Sequence, residues 1–267
     1  MRSVRDLMGL SGRVACISGA TGHIGRAIAD ALAEMGAALV VLDLAASACE
    51  ASAAGIAGSF GVETMPLACD LEDEGAVRRV PGQVLARFGR IDILVNCAAL
   101  VGGSDLPGWT TPFAQQLSGA WRRALEVNLT APFLLTQACA GALAESGHGS
   151  VIHVASIYGL VGPDWRLYEG TAMGNPAAYA ASKGALLQMT RWLATTLAPR
   201  IRVNALTPGG VWRNQPETFQ ERYRARTPLG RMATEEDFKG AACFLASDLS
   251  AYVTGQNIVV DGGWTAW

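Results

Sequence analysis

The sequence predicts an α/β fold: a single doubly wound domain over residues 1–267, with a mostly seven-stranded parallel sheet flanked by helices. Short runs of apolar, often β-branched residues alternate along the chain with Ala- and Leu-rich stretches of helical length. Most of these runs are apolar on both faces, as expected for parallel strands that helices cover on both sides. Such alternation favours right-handed strand–helix–strand crossovers within one sheet.

Seven strands and six stretches of helix follow from this alternation. The predicted strands are Val14–Ser18, Ala38–Leu42, Thr64–Ala68, Ile91–Asn96, Val151–Ala155, Arg202–Leu206 and Asn257–Val260. The predicted helices are Ile24–Met35, Ala46–Ser59, Glu72–Phe88, Ala114–Glu145 (as two helices), Ala177–Leu197 and Glu235–Ala246. Pro81 and Gly82 lie inside the third helix and should kink or split it.

Two stretches rich in Gly, Pro, Thr and Trp are predicted to be loops, Gly102–Pro112 and Gly159–Pro176. Each follows the carboxyl end of a predicted strand, and open α/β sheets bind their ligands at that edge. We therefore expect both loops to border a binding site.

Composition and charge argue against several classes of protein. The 267 residues carry a net charge of −2 without a basic stripe, so we expect no nucleic-acid partner. No apolar run approaches the ~20 residues that a membrane span requires, so we expect no membrane segment. The six cysteines are scattered without metal-ligand spacing, which favours buried thiols, no metal site and a cytoplasmic location.

The first chemical motif is a glycine-rich turn between the first strand and the first helix, Ser18-Gly19-Ala20-Thr21-Gly22-His23-Ile24-Gly25. Glycines let the backbone approach a pyrophosphate, and the helix N-terminus supplies N–H groups and a positive dipole end. An ordinary tight turn has a similar composition, but the position between a strand and a helix is typical of Rossmann-type dinucleotide sites.

Asp43 ends the second strand, 18 residues beyond Gly25. An acidic residue at this place in a Rossmann fold accepts hydrogen bonds from the adenosine ribose hydroxyls, and a carboxylate repels the 2′-phosphate of NADP. The residues that follow, Leu44, Ala45 and Ala46, provide no cation. The sequence therefore favours NAD over NADP, with simple helix capping by Asp43 as the alternative.

Tyr179 and Lys183 are four residues apart in a predicted helix and share one of its faces. Lys183 is one of two lysines in a chain that otherwise uses arginine as its cation. A tyrosine with a pKa near ~10 is a weak base at neutral pH, and a nearby cation favours its phenolate. The pair therefore indicates a tyrosine activated for acid–base chemistry.

Taken in order, these motifs resemble those of the short-chain dehydrogenase/reductase family over nearly the whole chain. The matching positions are the glycine-rich turn, Asp70, Asn96-Cys97-Ala98-Ala99, Asn128, Ser156, the Tyr179/Lys183 pair, Pro208-Gly209-Gly210-Val211 and Val259-Val260-Asp261-Gly262-Gly263. Segments 108–113 and 167–171 are also similar to dehydrogenases of bacterial surface-sugar and flagellin-glycan pathways.

The resemblance implies an NAD(P)-dependent oxidoreductase, homotetrameric or homodimeric, in which the protein transfers a proton while the cofactor carries the hydride. Tyr179 would be the general acid/base, and Lys183 would bind the nicotinamide ribose and lower the pKa of Tyr179. Ser156 would hold the reacting oxygen, and Asn128 would support a water relay from a helix irregularity. The implied cofactor contacts are Gly19, Thr21, Gly22, His23, Ile24, Gly25, Asp43, Asp70, Leu71, Asn96, Ala98, Tyr179, Lys183, Pro208, Gly209 and Val211.

The chain departs from the family pattern in four places. His23 stands where the turn usually has Gly, Cys97 and Ala99 alter the segment after the fourth strand, and Arg213 replaces a common Thr. Ser156 and Tyr179 are 23 positions apart, more than the family commonly shows, which places a loop insertion near 159–176.

The insertion is the main indication of the substrate, because it should lie over the mouth of the site. Aromatic faces pack on the C–H faces of sugars, and charged groups bind their polar atoms. We therefore predict a secondary alcohol or ketone of a sugar or polar sugar derivative, contacted by Trp109, Trp165, Arg166, Tyr168 and Arg213. A generic ketone or 3-oxoacyl reductase and a non-catalytic dinucleotide-binding regulatory protein are the alternatives. The insertion is equally compatible with a structural lid or a subunit contact.

Overall fold

The computed structural model describes residues 1–101 and 104–267; Gly102 and Gly103, at the start of the first predicted loop, lie outside the described residues. Seven strands form one sheet in the order β3-β2-β1-β4-β5-β6-β7, and every neighbouring pair is parallel. This confirms the predicted fold class. The strands are β1 Val14–Ser18, β2 Ala38–Asp43, β3 Thr64–Ala68, β4 Ile93–Asn96, β5 Gly149–Val154, β6 Ile201–Pro208 and β7 Asn257–Val260.

The described α-helices are α1 Val4–Met8, α2 His23–Glu34, α3 Ala46–Phe60, α4 Glu74–Phe88, α5 Ser118–Leu125, α6 Ala131–Glu145, α7 Ala177–Leu197, α8 Glu217–Arg226 and α9 Lys239–Ala246. The sequence prediction omits α1 and α8. A π-helical segment, Glu126–Thr130, joins α5 to α6.

Helix α4 runs through Pro81 without a break, so the predicted split is wrong. Proline removes one backbone hydrogen bond from a helix interior. Val77, Val80 and Val84 are buried on one face of α4, within the core beneath the sheet. Burial of that face outweighs the lost hydrogen bond.

Both faces of the sheet are covered by helices, which explains why most of its strands are apolar on both faces. Side chains of a strand alternate between the two faces of a sheet. In β1, Ala15 and Ile17 join a core with residues of α2, α3 and α9. Val14 and Cys16 join a second core with residues of α4, α6 and α7.

The strand order reverses at β1, which lies between β2 and β4. From β1 the chain proceeds outward to β2 and β3, and then returns to the other side of β1 to form β4. A reversal of this kind opens a crevice at the carboxyl ends of the two strands, where open α/β sheets bind ligands. The fold thus places the glycine-rich turn, which follows β1, beside the segment that follows β4.

The segment Ser118–Glu145 is 28 residues long and, by length and composition alone, apolar enough to cross a membrane. In the fold it comprises α5, the π-helical segment and α6, and its buried residues include Leu134, Leu135 and Leu143. These residues pack in the same core as α4 and the sheet. The segment therefore packs against the sheet as part of a layer of helices.

Asp92 is a buried carboxylate at the start of β4. It is fully buried, its Oδ2 accepts a hydrogen bond from the Val14 backbone N–H at 2.9 Å, and it forms two hydrogen bonds with the Arg90 guanidinium, at 2.6 and 2.8 Å. A buried donor left without its acceptor costs about 1–3 kcal/mol. The carboxylate therefore ties the amino ends of β1 and β4 together.

We expect Asp92→Ala to lower the free energy of unfolding by about 2 kcal/mol, because the Val14 N–H loses its acceptor inside the protein. The matched control is Glu63→Ala, which breaks a well-exposed ion pair with Arg87 and should change stability by less than about 1 kcal/mol. Urea unfolding followed by circular dichroism measures both. Equal effects of the two substitutions would contradict the assignment.

Candidate active site

The glycine-rich turn packs so closely that side chains are excluded at two of its positions. Gly19 has a φ of +71°, and a Cβ there would lie 2.7 Å from the Ala98 backbone. A Cβ on Gly25 would overlap the carbonyl oxygen of Gly19. Helix α2 begins at His23 with Gly22 as its N-cap, so its first N–H groups have no side-chain cap. Helix N-termini of this kind are ready-made anion sites.

Asp43 lies at the carboxyl end of β2 and faces this turn. Its Oδ2 accepts hydrogen bonds from the Thr21 backbone N–H at 3.0 Å and from the Thr21 hydroxyl at 2.6 Å. Its Oδ1 accepts from the Leu44 backbone N–H at 2.8 Å. Three donors therefore hold the carboxylate in one orientation beside the crevice.

A cavity of about 590 Å³ occupies the crevice, and we call it the first cavity. Its walls contain nearly all the predicted cofactor residues: Gly19, Gly22, His23, Ile24, Gly25, Asp43, Asp70, Leu71, Ala98, Tyr179, Lys183, Pro208, Gly209 and Val211. Thr21 and Asn96 do not line it. Thr21 contacts Asp43, which lines the cavity. Asn96 is the last residue of β4, and its buried Nδ2 donates to the Thr136 hydroxyl of α6 at 3.3 Å.

Tyr179, Lys183 and Ser156 meet where α7 crosses the carboxyl end of β5. Lys183 is 3% exposed, and its Nζ donates to the carbonyl oxygen of Val154 at 2.7 Å. The same nitrogen lies 5.8 Å from the centroid of the Tyr179 ring. Ser156, two residues beyond Val154, is also buried. The predicted tyrosine, lysine and serine are thus brought together.

Burial has the largest effect on the pKa values of Tyr179 and Lys183. It raises the pKa of Tyr179, although a hydrogen bond with Ser156 acts in the opposite direction. It also lowers the pKa of Lys183 to about 8. Loss of hydration disfavours the phenolate and so opposes the lowering of the Tyr179 pKa by Lys183, which stays a prediction.

Asn128 lies in the π-helical segment, which confirms the predicted helix irregularity. Its amide is fully buried; Oδ1 accepts from the Leu100 N–H at 2.7 Å, and Nδ2 donates to the Leu100 carbonyl and the Ser182 hydroxyl at 3.1 Å each. Ser182 in turn donates to the carbonyl oxygen of Tyr179 at 2.8 Å. Asn128 thus fastens the segment after β4 to α7, and its water relay stays a prediction.

A second cavity, of about 460 Å³, adjoins the first, and both are lined by Ser156 and Tyr179. Aromatic and apolar side chains from the insertion and from α8 form much of its wall. Among the five predicted substrate residues, Tyr168 alone lines it. The sequence reasoning missed Tyr158, Asn175, Gln215, Phe219, Tyr223 and Met232. The spacing of Phe219 and Tyr223, four residues apart, was a signal of α8 and of its apolar face.

Trp109 is a core residue, so its predicted contact with substrate is wrong. Its side chain is 1% exposed, and its Nε1 donates to the carbonyl oxygen of Val101 at 2.7 Å. It packs with Ala120, Ala124 and Ala178. The indole therefore supports α7 from behind and lines neither cavity.

Trp165 and Arg166 also point away from the two cavities, contrary to the prediction. They lie in a short 3₁₀ turn whose N-cap, Asp164, forms hydrogen bonds with the Arg166 guanidinium at 2.7 and 2.8 Å. Trp165 is 57% exposed and packs against Tyr168, with ring centroids 5.7 Å apart. The ion pair with Asp164 holds Arg166 on a different surface.

The comparisons with known proteins agree with this architecture. A family model described as enoyl-(acyl carrier protein) reductase matches residues 19–265. D-threitol dehydrogenase of Mycolicibacterium smegmatis is 35% identical over 96% of this chain and 94% of its own. The 3-oxoacyl-[acyl-carrier-protein] reductase FabG of Escherichia coli is 31% identical over 96% of this chain and 98% of its own. A crystal structure of a short-chain type dehydrogenase/reductase from Mycobacterium marinum covers all of both chains, with 34% identity and a TM-score of 0.87.

The chain belongs to the short-chain dehydrogenase/reductase family. It is an oxidoreductase that acts on alcohols or ketones with a nicotinamide cofactor. Two similar structures hold such cofactors. The gluconate 5-dehydrogenase of Burkholderia cenocepacia, in complex with NADP and tartrate, has a TM-score of 0.87 and 31% identity over 99% of this chain and 100% of its own. An NAD+-bound xylitol dehydrogenase has a TM-score of 0.85 and 30% identity over 95% and 99%.

Two departures from the family pattern meet at the edge of the first cavity. Arg213 lines that cavity and not the second, and its Nη1 lies 2.5 Å from Glu235. The ion pair holds Arg213 at the first cavity, whose wall also contains Ser156 and Tyr179, so its predicted contact with substrate stays a prediction. His23 is largely exposed, with its Nδ1 3.7 Å from the same carboxylate.

We expect Gly25→Ala to weaken NADH binding by about tenfold, because the new Cβ displaces Gly19 and strains the turn by about 1–3 kcal/mol. The matched control is Gly58→Ala in α3, where a Cβ meets nothing within 4 Å. Fluorescence titration with NADH measures both affinities. Unchanged affinity in Gly25→Ala would show that the close packing of the turn does not matter for the cofactor.

Proposed function

We propose that this oxidoreductase is an NAD-dependent dehydrogenase that acts on a secondary alcohol or ketone of a polyol or other sugar-like molecule. One observation carries the proposal: Tyr179 and Ser156 lie where the two cavities meet. The first cavity suits a dinucleotide, and the second suits a small molecule with C–H faces. A hydride donor and an alcohol carbon would therefore approach each other beside the tyrosine.

The residues of the first cavity fit a nicotinamide dinucleotide. The glycine-rich turn and the N-terminus of α2 would hold the pyrophosphate, because backbone N–H groups and the helix dipole favour an anion there. Asp43 would accept hydrogen bonds from the adenosine ribose, Lys183 would bind the nicotinamide ribose, and Val211 would bind the carboxamide. When bound, the nicotinamide gives or takes the hydride.

Tyr179 would move the proton that accompanies the hydride. In reduction its phenol donates that proton to the developing alkoxide, and in oxidation its phenolate removes the proton from the alcohol. Burial raises the pKa of Tyr179, so the phenol is protonated at neutral pH, the form that donates a proton in reduction. Ser156 would donate a hydrogen bond to the same oxygen and hold it within reach of Tyr179.

Asp43 supports NAD as the preferred cofactor. Its carboxylate is held by Thr21 and Leu44 at the place where the 2′-phosphate of NADP would lie. Two carboxylate-paired arginines line the same cavity, Arg123 with Glu72 and Arg213 with Glu235. A 2′-phosphate would therefore be repelled by the Asp43 carboxylate, and the two arginines of this cavity are already paired with other carboxylates.

The lining of the second cavity supports a sugar-like substrate. Phe219, Tyr223 and Tyr168 provide aromatic faces, and polar groups stand among them. The similarity to D-threitol dehydrogenase favours the same class. The similarity to FabG of Escherichia coli favours a 3-oxoacyl reductase as the second candidate, and turnover of a polyol against a 3-oxoacyl thioester separates the two.

We also propose a cytoplasmic homo-oligomer, either a tetramer or a dimer. Helix α7 buries Leu186, Leu187 and Leu193 against the sheet and leaves Trp192 58% exposed. Trp121 of the neighbouring α5 is exposed as well. Large exposed aromatic side chains on adjacent helices are typical of subunit contacts.

We expect Tyr179→Phe to lose about 10²- to 10⁴-fold in kcat while it still binds NADH, because the substitution removes the acid–base proton alone. Tyr252→Phe is the matched control, since Tyr252 is fully exposed. Absorbance of NADH with a panel of polyols measures turnover. Retention of more than half the wild-type activity would overturn the role of Tyr179.

We expect Asp43→Ser to weaken the use of NAD and to improve the use of NADP, because it removes the ribose acceptor and the charge that repels the 2′-phosphate. Asp43→Asn keeps an acceptor oxygen for Thr21 and removes the charge alone. The ratio of kcat/KM for the two cofactors measures the preference. A wild-type protein that already prefers NADP would contradict the argument.

A further inference from the structure

Asn175 carries a buried amide oxygen that has no hydrogen-bond partner in the structure. The residue is 6% exposed, at the end of the insertion, and it lines the second cavity. In residues 1–101 and 104–267 a few other buried side-chain atoms lack a partner, on Arg13, Asn96, Thr111, His153, Arg226 and Trp264. None of those six residues lines the cavities that contain Tyr179. Asn175 therefore differs from them in facing the reaction site.

A pair of phenols stands beside this amide. The hydroxyls of Tyr158 and Tyr168 are 2.6 Å apart, so one phenol donates to the other and one phenolic proton is left to donate elsewhere. Burial raises the pKa of Tyr168, and the hydrogen bond with Tyr158 and the nearby Asn175 amide counter part of that rise. The amide oxygen is an acceptor and the remaining phenolic proton is a donor. An alcohol hydroxyl could donate to the first and accept from the second.

Two other polar side chains of this wall, Gln215 and Tyr223, already have hydrogen-bond partners. Gln215 donates to the Val211 carbonyl at 2.8 Å and accepts from the Arg213 N–H at 2.7 Å. The Tyr223 hydroxyl accepts from the Gly210 N–H. The Tyr223 hydroxyl keeps its own proton to donate, but Asn175 carries the buried side-chain acceptor of this described lining that has no partner.

The described lining of the second cavity contains no charged side chain. An anion that entered it would lose its hydration without gaining a cation, and such a transfer is costly. A neutral molecule meets no such penalty, and its carbon skeleton would pack against Phe219 and Met232. The cavity thus discriminates against the acid or the phosphate ester of a polyol.

We propose that Asn175, with the Tyr158–Tyr168 pair, recognises a second hydroxyl of a neutral polyol whose first hydroxyl reacts at Tyr179. The inference rests on the proposed function and deepens it, because it names the residue that separates polyols from simple alcohols. A buried amide oxygen without a partner is unfavourable, and a substrate hydroxyl would satisfy it. A simple alcohol would leave the Asn175 amide oxygen without a hydrogen-bond partner.

The test compares substrates that differ by one hydroxyl. The wild type and Asn175→Leu are assayed with NAD and either 2-butanol or 2,3-butanediol, followed by D-threitol. We expect Asn175→Leu to lower kcat/KM for the diol and the tetritol by about 10- to 100-fold, mainly through KM, and to leave 2-butanol within about twofold. We expect the wild type to prefer D-threitol over threonate, its carboxylic acid counterpart.

Two further variants keep the result interpretable. Asn175→Gln retains an uncharged amide oxygen close to the same position and should recover part of the preference for the diol. Arg166→Ala, in the same insertion but paired with Asp164 on another surface, should leave both KM values unchanged. NADH affinity and melting temperature, measured on every variant, report on the cofactor site and on folding.

The outcomes distinguish this inference from the function on which it rests. Equal losses for 2-butanol and the diol, or no loss for either, would overturn the assignment of Asn175 while leaving the dehydrogenase intact. A wild-type preference for threonate would overturn the neutral substrate class. A wild type that oxidises none of these alcohols with NAD or NADP would instead overturn the proposed function itself.

Discussion

The buried ammonium group of Lys183 is the constraint on which the active site depends. A cation taken out of water must be hydrogen-bonded, and the carbonyl oxygen of Val154 provides that bond at 2.7 Å. The bond fixes α7 against the carboxyl end of β5. Tyr179 lies one helical turn before Lys183, and Ser156 lies two residues after Val154. This hydrogen bond therefore helps to set the positions of Tyr179, the proposed general acid/base, and of Ser156 on opposite elements of the fold.

The π-helical segment supplies a second tie at the same place. A π-turn inserts one extra residue into a helix and is frequent at functional sites. Here it carries Asn128 inward, between the segment after β4 and the first turns of α7. The Asn128 amide and the Lys183 ammonium thus hold α7 from both sides, one through the backbone of Leu100 and the other through Val154. Both bonds are buried, so water competes little with either.

The sequence was informative wherever a local pattern has one structural solution. Apolar runs without a polar face identified the strands, and the glycine-rich turn, Asp43 and the Tyr179/Lys183 spacing identified the cofactor side. The substrate side was harder, because loop composition does not determine where a side chain points. Arg166 is turned outward by its neighbour Asp164, and Trp109 is drawn into the core. Asn175 became notable only when burial and the lack of a partner were known, and neither is written in the residues around it.

Because of the insertion between Ser156 and Tyr179, the proposed cofactor site and the proposed substrate site are built largely from different parts of the chain. Residues 19–98 build about half of the wall that would hold the dinucleotide, whereas residues 157–176 and 215–232 build most of the other wall. Tyr168 and Asn175 can therefore change without disturbing Gly19 or Asp43. The second wall can therefore accept substitutions that alter the choice of substrate, whereas substitutions in the first would alter the cofactor site. A library of variants with substitutions only in the insertion and α8 would vary the proposed substrate wall while leaving the proposed cofactor wall unchanged.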